Sequence, residues 1–383
     1  MPHPPRQPPS AARPERSLAR PAWFQAAMWM GTDFFALARI LLRARLRVSP
    51  SSLADLCCDL FFSTANTALG ALQEFYHGPR LSRLELPRDP IFIIGHWRTG
   101  TTLLHELLAL DPRNRCPDTL ACFAPTHFLL TAALVRGWSR FLLPRHRPAD
   151  AMPVGWDGPQ EDEFALCNLG VPSPYATMAF PNRPPQFIEY LDLERVGPAQ
   201  RRHWQRMFVR FLKQLLLQRP GRLVLKSPTH TFRLPLLLEL FPGARFVHMV
   251  RNPYALFPST MRLWKSMYAW QGYQRSTAAG LAEHVFHTLL AMHDRLEATR
   301  GLVPPGRFFE LRYEDLVQEP LAHVRTIYER FGLGGFERIE PALQQYLAER
   351  AHYRVNHHRL SDDQRQEIAC RWEPYFRKYG YAV

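Results

Sequence analysis

Long apolar runs are missing from this 383-residue chain. The nearest approach near its start, Phe34 to Leu42, is broken by Arg39 and followed by Arg43, Arg45 and Arg47, far short of the ~20 apolar residues a bilayer span requires. No transmembrane helix is expected. Residues 1–21 are rich in Pro and Arg but have no apolar core, which excludes a secretory signal and reads as a disordered tail. Cysteine is scarce. The six residues Cys57, Cys58, Cys116, Cys122, Cys167 and Cys370 show no metal-ligand spacing, and the adjacent pair can hardly bridge to itself. A reducing, cytoplasmic location and no bound metal are the expectations. Acidic residues are outnumbered, 34 against 48 Lys plus Arg, leaving +14. That balance favours anionic partners: nucleotides, sulfated or phosphorylated ligands, nucleic acid or an acidic membrane surface. The chain carries no ordered aromatic and basic motif of the nucleic-acid kind, so nucleic acid is set aside.

What is present is core material. A 46% hydrophobic content in a chain of this length supports one large domain with elaborations. The expected organisation is a helical extension over 22–85 and a main domain over 86–383, within which 113–220 elaborates the acceptor side. Trp23 to Tyr76 reads as two or three amphipathic helices, with Phe35, Ile40, Leu41 and Leu46 opposite an arginine face. A cap packed on the main domain is the first reading of these helices, since apolar stripes usually face a core. Peripheral contact with a membrane surface is the second.

The main domain alternates strands with helices. Pro90-Ile-Phe-Ile-Ile94 is a short apolar run bounded by Pro and Gly, as a buried parallel strand should be. A helix follows over Thr101 to Leu110, with Leu104, Leu107 and Leu108 on one face. A second unit runs from Arg222-Leu-Val-Leu225 through a helix near Leu234 to Phe241 and back as Arg245 to Val250, a βαβ arrangement. Another strand, Arg307 to Tyr313, precedes a further helix. The fold class that follows is α/β: a doubly wound parallel sheet of P-loop nucleotide-binding type, flanked by helices. Between the units, Cys116 to Gln218 shows one clear helix, marked by Trp204, Phe208, Leu212 and Leu215. The basic face of that helix, Arg201, Arg202, Arg206 and Arg210, is read as solvated before it is read as an acceptor contact.

Gly95-His-Trp-Arg-Thr-Gly100-Thr-Thr102 places two glycines at phosphate-loop spacing between a buried strand and a helix N-terminus. Glycines let backbone N–H groups curl around an anion, and the positive end of the helix favours it. Yet Thr101 stands where a nucleoside triphosphatase carries its lysine, and the strand Phe246 to Val250 ends in Arg251 rather than a Mg²⁺-holding aspartate. A donor needing no metal fits this pattern better than a kinase does. Arg251 and Ser259, on either side of the Asn252-Pro253 turn, supply a second anion site.

These segments resemble the sulfotransferases that use 3′-phosphoadenosine-5′-phosphosulfate (PAPS), most closely the bacterial branch whose loop reads Arg-Thr-Gly-Thr-Thr. The resemblance rests on Ile94 to Thr102, Pro159-Gln-Glu-Asp-Glu-Phe164, Leu225-Lys-Ser-Pro228, Arg251-Asn-Pro253 with Ser259, and Arg312-Tyr-Glu-Asp-Leu316, in that order. It implies that Arg98, Thr99, Gly100, Thr101 and Thr102 hold the 5′-phosphosulfate and that Arg251 and Ser259 hold the 3′-phosphate. It also implies that Lys226 neutralises the bridging oxygen as the sulfuryl group leaves. The resemblance leaves the general base open: His230 is placed first and Glu161 next, with Glu163 and Asp118 as further carboxylates. Arg354 and Arg359 are candidates to close over the nucleotide, while His357-His358 is not read as a metal site. Ser361-Asp-Asp-Gln364 is a capping box that starts a last helix. The implied reaction is sulfuryl transfer to a hydroxyl, less readily an amine, by in-line attack without a metal. A P-loop kinase and a non-catalytic basic binding protein are the rivals. The acceptor is open among small molecules, glycans and lipids, as is the oligomeric state.

Overall fold

Four apolar runs and one polar dipeptide, which the sequence reading did not mark as a strand, form five parallel strands: β1 Ile91–Gly95, β2 Asn114–Arg115, β3 Arg222–Lys226, β4 Arg245–Val250 and β5 Phe308–Arg312. The computed structural model describes residues 27–138, 155–350 and 360–383. Across the sheet the order is β2-β3-β1-β4-β5. Ile91 of β1 lies opposite Val224 of β3 and Arg245 of β4, and Gly95 lies opposite Met249. Alternation along each strand feeds two cores. Phe92, Ile94, Leu223, Leu225 and Phe246 face one side with Trp204, Phe208, Leu212 and Leu215. Ile91, Ile93, Val224, Val247 and Met249 face the other with Leu104, Leu107 and Leu108. Burial on both faces is why the strands read as continuous apolar runs.

The chain leaves β1 toward β2 and β3 on one side, then crosses to β4 and β5 on the other. Ligands of open α/β sheets bind outside the carboxyl ends of the strands where the order reverses. The loop after β1, Lys226 at the end of β3 and Arg251 after β4 all gather at that edge.

Ahead of the sheet lie a short turn of helix at Met28–Gly31, α1 Phe34–Arg43 and α2 Leu53–Arg83. The four apolar residues expected to share one face divide: Ile40 and Leu41 are buried, whereas Phe35 and Leu46 are exposed. The second region expected to hold one helix also contains Thr119–Phe123, Phe128–Trp138 and Asp162–Asn168 beside Pro198–Gln218. These added helices are short and turn-bounded, too brief for a 3.6-residue period to show. On the long one, Arg201 pairs with Glu239 at 2.5 Å and Arg210 with Glu74. The capping box is present, with Gln364 N donating to Ser361 Oγ at 3.2 Å and Ser361 N to Gln364 Oε1 at 3.1 Å. The Pro/Arg tail, Arg354, His357, His358 and Arg359 lie outside the described residues. Among the described residues no helix is long and apolar enough to cross a membrane.

Candidate active site

The loop from β1 into α3, Thr101–Ala109, is built around left-handed backbone. Gly95 has φ +138°, Arg98 +72° and Gly100 +92°. A Cβ on Gly100 would stand 2.3 Å from the Tyr313 ring, and one on Gly95 would stand 2.5 Å from the Met249 carbonyl oxygen. Both positions therefore demand glycine. Thr99 Oγ1 donates to the His96 carbonyl at 2.7 Å, closing the turn. The first N–H groups of α3 have no partners within the helix, so they and the helix dipole are suited to an anion. Thr101 is buried there and Thr102 is half-buried.

Arg98 reaches out of this loop, and its Nε donates to Ser259 Oγ at 3.0 Å. Arg251 reaches in, its Nη1 donating to the Arg98 carbonyl at 2.9 Å. The two anion sites inferred from sequence thus share one wall. Two elements that the motif reading left without roles hold Arg251 in place. Its guanidinium stacks 4.3 Å above the Tyr313 ring, and Glu314 Oε1 accepts from Asn252 N at 3.0 Å. Tyr375 adds its hydroxyl, accepting from Arg251 N at 3.3 Å.

At the end of β3, three consecutive acids meet three basic residues one helical turn apart. Lys226 Nζ donates to Glu161 Oε1 at 2.7 Å. His230 Nε2 lies 2.8 Å from Asp162 Oδ2, though out of hydrogen-bond alignment. Arg233 Nη1 donates to Glu163 Oε2 at 2.6 Å, and Ser173 and Thr229 donate to the same carboxylate at 2.6 and 2.9 Å. Burial alone would raise the Glu163 carboxyl, but Arg233 and these hydroxyls hold it below its usual range. The three pairs differ in access. Glu161 keeps 14% of its side chain exposed, whereas His230, Asp162, Glu163 and Arg233 keep none. His230 is further enclosed by Phe92 and Phe208 at ring distances of 5.3 and 5.6 Å.

Glu161 is also aligned from its other side. Trp97 Nε1 donates to Tyr175 Oη at 3.1 Å, and Tyr175 donates in turn to Glu161 Oε2. Burial, then the Glu161 charge, push the Tyr175 phenol well above its ordinary value, so it remains a donor. Trp97 and Trp264, 5.6 Å apart, extend this wall. Sequence reading named neither Trp97 nor Tyr175, because aromatics in an apolar setting carry no local signal of chemistry. Asp118 lies beside the acidic segment, bridged to Pro159, but its carboxylate is occupied, capping Thr119–Phe123 through Ala121 N at 2.7 Å and pairing with Arg136 at 2.8 Å. Among the described residues no group of three or more His, Cys, Asp or Glu could hold a metal ion.

The sulfotransferase family model matches residues 90–338. The chain belongs to the sulfotransferase family. Over 371 residues this sulfotransferase is 44% identical to omega-hydroxy-beta-dihydromenaquinone-9 sulfotransferase Stf3 of Mycobacterium bovis, covering 97% of this chain and 95% of the relative. Its fold is that of sulfotransferase STF9 from Mycobacterium avium, with TM-score 0.66 at 21% identity over 93% of this chain and 92% of that one. STF1 from Mycobacterium tuberculosis H37Rv follows at TM-score 0.59 and 20% identity, over 90% and 94% of the two chains.

Proposed function

We propose that this sulfotransferase takes its sulfuryl group from PAPS and delivers it to the hydroxyl of a long apolar alcohol of the hydroxylated isoprenoid-quinone class. The observation that carries the chemistry is the Lys226–Glu161 pair, 2.7 Å apart at the strand edge, with the anion loop on one side and an aromatic wall on the other. The residues present fit the donor: a Cβ-free backbone at Gly95 and Gly100, a helix N-terminus for the phosphosulfate, and Arg98, Ser259 and Arg251 for a second phosphate. Bound there, the donor supplies an electrophilic sulfur and an anionic leaving group.

Glu161 accepts the proton of the acceptor hydroxyl, whose oxygen forms the new S–O bond. Lys226 stabilises negative charge on the bridging oxygen as the old S–O bond breaks. Tyr175 fixes the rotamer of Glu161, so the base is already oriented. His230, placed first among bases by sequence, has no surface through which an acceptor could reach it. It sits instead inside the fold, packed against Phe92 and Phe208 and close to Asp162. Transfer needs no metal in this reading, since cations and backbone donors meet the charge. The 44% identity to a menaquinone-derivative sulfotransferase supports the acceptor class, and a cytoplasmic location belongs to the same proposal.

Calorimetric titration with 3′-phosphoadenosine 5′-phosphate, and with ATP plus Mg²⁺, tests the donor in wild type and Arg251→Ala. Metal-independent binding of the former, lost in the variant, is expected. Preference for ATP with Mg²⁺ overturns it in favour of a kinase. For the acceptor, mass-spectrometric detection of a sulfated product from an ω-hydroxylated isoprenoid quinol is expected, and selective sulfation of a glycan or peptide tyrosine refutes the class.

A further inference from the structure

The helix α2 buries polar side chains and exposes aromatic ones. Its 31 residues, about 46 Å of helix, turn Asp59, Ser63, Asn66 and Gln73 to the protein beside Leu56, Leu60 and Leu81, while its largest aromatics face solvent. Inward, Asp59, at 2% exposure, accepts from Tyr273 Oη at 2.6 Å. Asn66 donates to the carbonyls of Met30 and Thr32 at 2.7 and 3.1 Å, and Gln73 accepts from Leu129 N at 2.8 Å. Outward, Leu53, Cys57, Phe61, Leu72 and Phe75 recur at intervals close to the helical repeat, and Phe61 and Phe75 are 71% and 76% exposed. Single exposed hydrophobics are ordinary, but a contiguous apolar stripe marks a binding surface. The partner helix α1 lies alongside, with Phe34 N donating to Thr67 Oγ1 at 2.9 Å. It adds Phe35 and Leu42, which line an open groove of about 490 Å³ rimmed by Arg39 and Arg43.

Charge frames the stripe. Arg43, Arg45 and Arg47 precede α2, and Arg80 and Arg83 occupy its last turns, all exposed. The acid on its flank, Glu74, is paired with Arg210. We propose that α1 and α2 form an interfacial docking face for a bilayer bearing anionic lipids, lying in the plane of the membrane with Phe61 and Phe75 among the acyl chains. An apolar stripe bounded by arginines is the pattern such helices use. A second copy of the chain fits less well, because pairing the stripes parallel or antiparallel brings arginine clusters of one sign together. The apolar face opposite, Leu37, Ile40 and Leu41 of α1, shares a core with Trp97, Tyr175 and Trp264. Docking would therefore hold the aromatic wall of the site near the membrane. That purpose rests on the lipid-acceptor reading, whereas the docking itself does not.

The test is flotation of the full-length protein with phosphatidylcholine vesicles, with and without phosphatidylglycerol, in the absence of donor and acceptor. Wild type is expected to float with the anionic vesicles and to release as salt rises. Phe61→Glu/Phe75→Glu is expected to weaken binding by about tenfold or more, and Arg45→Glu/Arg47→Glu to abolish the preference for anionic lipid. Both variants keep wild-type thermal midpoints and nucleotide affinity. Wild type that stays below both kinds of vesicle overturns the proposal. So does a doubled mass in sedimentation that the phenylalanine variant halves, which assigns the stripe to a second copy. Vesicle binding without sulfation of an isoprenoid quinol leaves the docking face standing and sinks only the acceptor class.

Discussion

In the proposed transfer Lys226 and Glu161 have separable duties, and single substitutions should separate them. Lys226→Ala removes a contact that matters most as charge develops on the leaving oxygen, so kcat should fall roughly 10²–10³-fold while product-nucleotide affinity stays within a few-fold. Equal losses in both would assign Lys226 to ground-state binding. Glu161→Gln keeps the shape and removes the base. Its kcat should drop by about 10²–10⁴. His230→Ala instead opens a space between Phe92 and Phe208, so it should lower the thermal midpoint while the folded fraction turns over at a near-normal rate. A collapse of kcat in well-folded H230A protein would return His230 to the catalytic role. Gly100→Ala meets both a φ of +92° and the Tyr313 ring 2.3 Å away. Displacing Tyr313 takes the floor from under Arg251, and loss of nucleotide binding in calorimetry is the expected result.

Elements carry the next level of organisation, and the segment Glu161–Glu163 shows how. Its three acids grip the β3 strand end and the turn after it, and the innermost pair, Glu163 with Arg233, is wholly buried. Removing one partner of such a pair typically costs ~3–5 kcal/mol, because a charge is left buried alone. Glu163→Gln should therefore lower stability by that order in chemical denaturation, and adding Arg233→Met should restore part of it. The sign with pH follows from the depressed carboxyl. Its contribution is full above the unfolded-state value and is lost as pH falls through the folded one. At this scale β1, β3, β4 and β5 were legible as apolar runs, whereas the two-residue β2, Asn114–Arg115, carries no apolar signal and was not. Nor was the orientation of α2. Periodicity reports that a helix has two faces, but only Tyr273, Met30, Thr32 and Leu129, distant in sequence, decide that Asp59, Asn66 and Gln73 turn inward.

At the scale of the whole molecule, burial keeps His96, His105 and His127 neutral. Burial lowers His96 to about 4 and His127 to about 4, and burial together with the Lys226 charge lowers His105 to about 3. An unfolded chain binds protons at these groups from about pH 6.5 downward. Between that value and about pH 4 the unfolded state therefore holds more protons than the folded state, and stability falls as pH falls. The slope approaches ~1.4 kcal/mol per pH unit for each group. Thermal midpoints should decline steeply over this window, and H127Q should flatten the decline. A midpoint unchanged from pH 6.5 to 4.5 would contradict the burial of these rings.

The division of labour between sequence and fold follows from range. Strand, loop and helix signals are local, so the sheet, the glycine-dependent anion loop and the ordered motifs behind the family assignment could be read from the chain alone. Selection among chemically similar side chains is not local. Glu161 and His230 look equally able to accept a proton in sequence, and only the packing of Phe92 and Phe208 over one, and of Tyr175 and Lys226 around the other, separates them. Likewise, Tyr313 gains its role under Arg251 only once β5 pairs with β4 and brings residues 251 and 313 together. The sequence by itself determined which chemistry could occur at this sheet edge; tertiary structure decided which side chains reach it, because access and desolvation exist only after distant segments have packed.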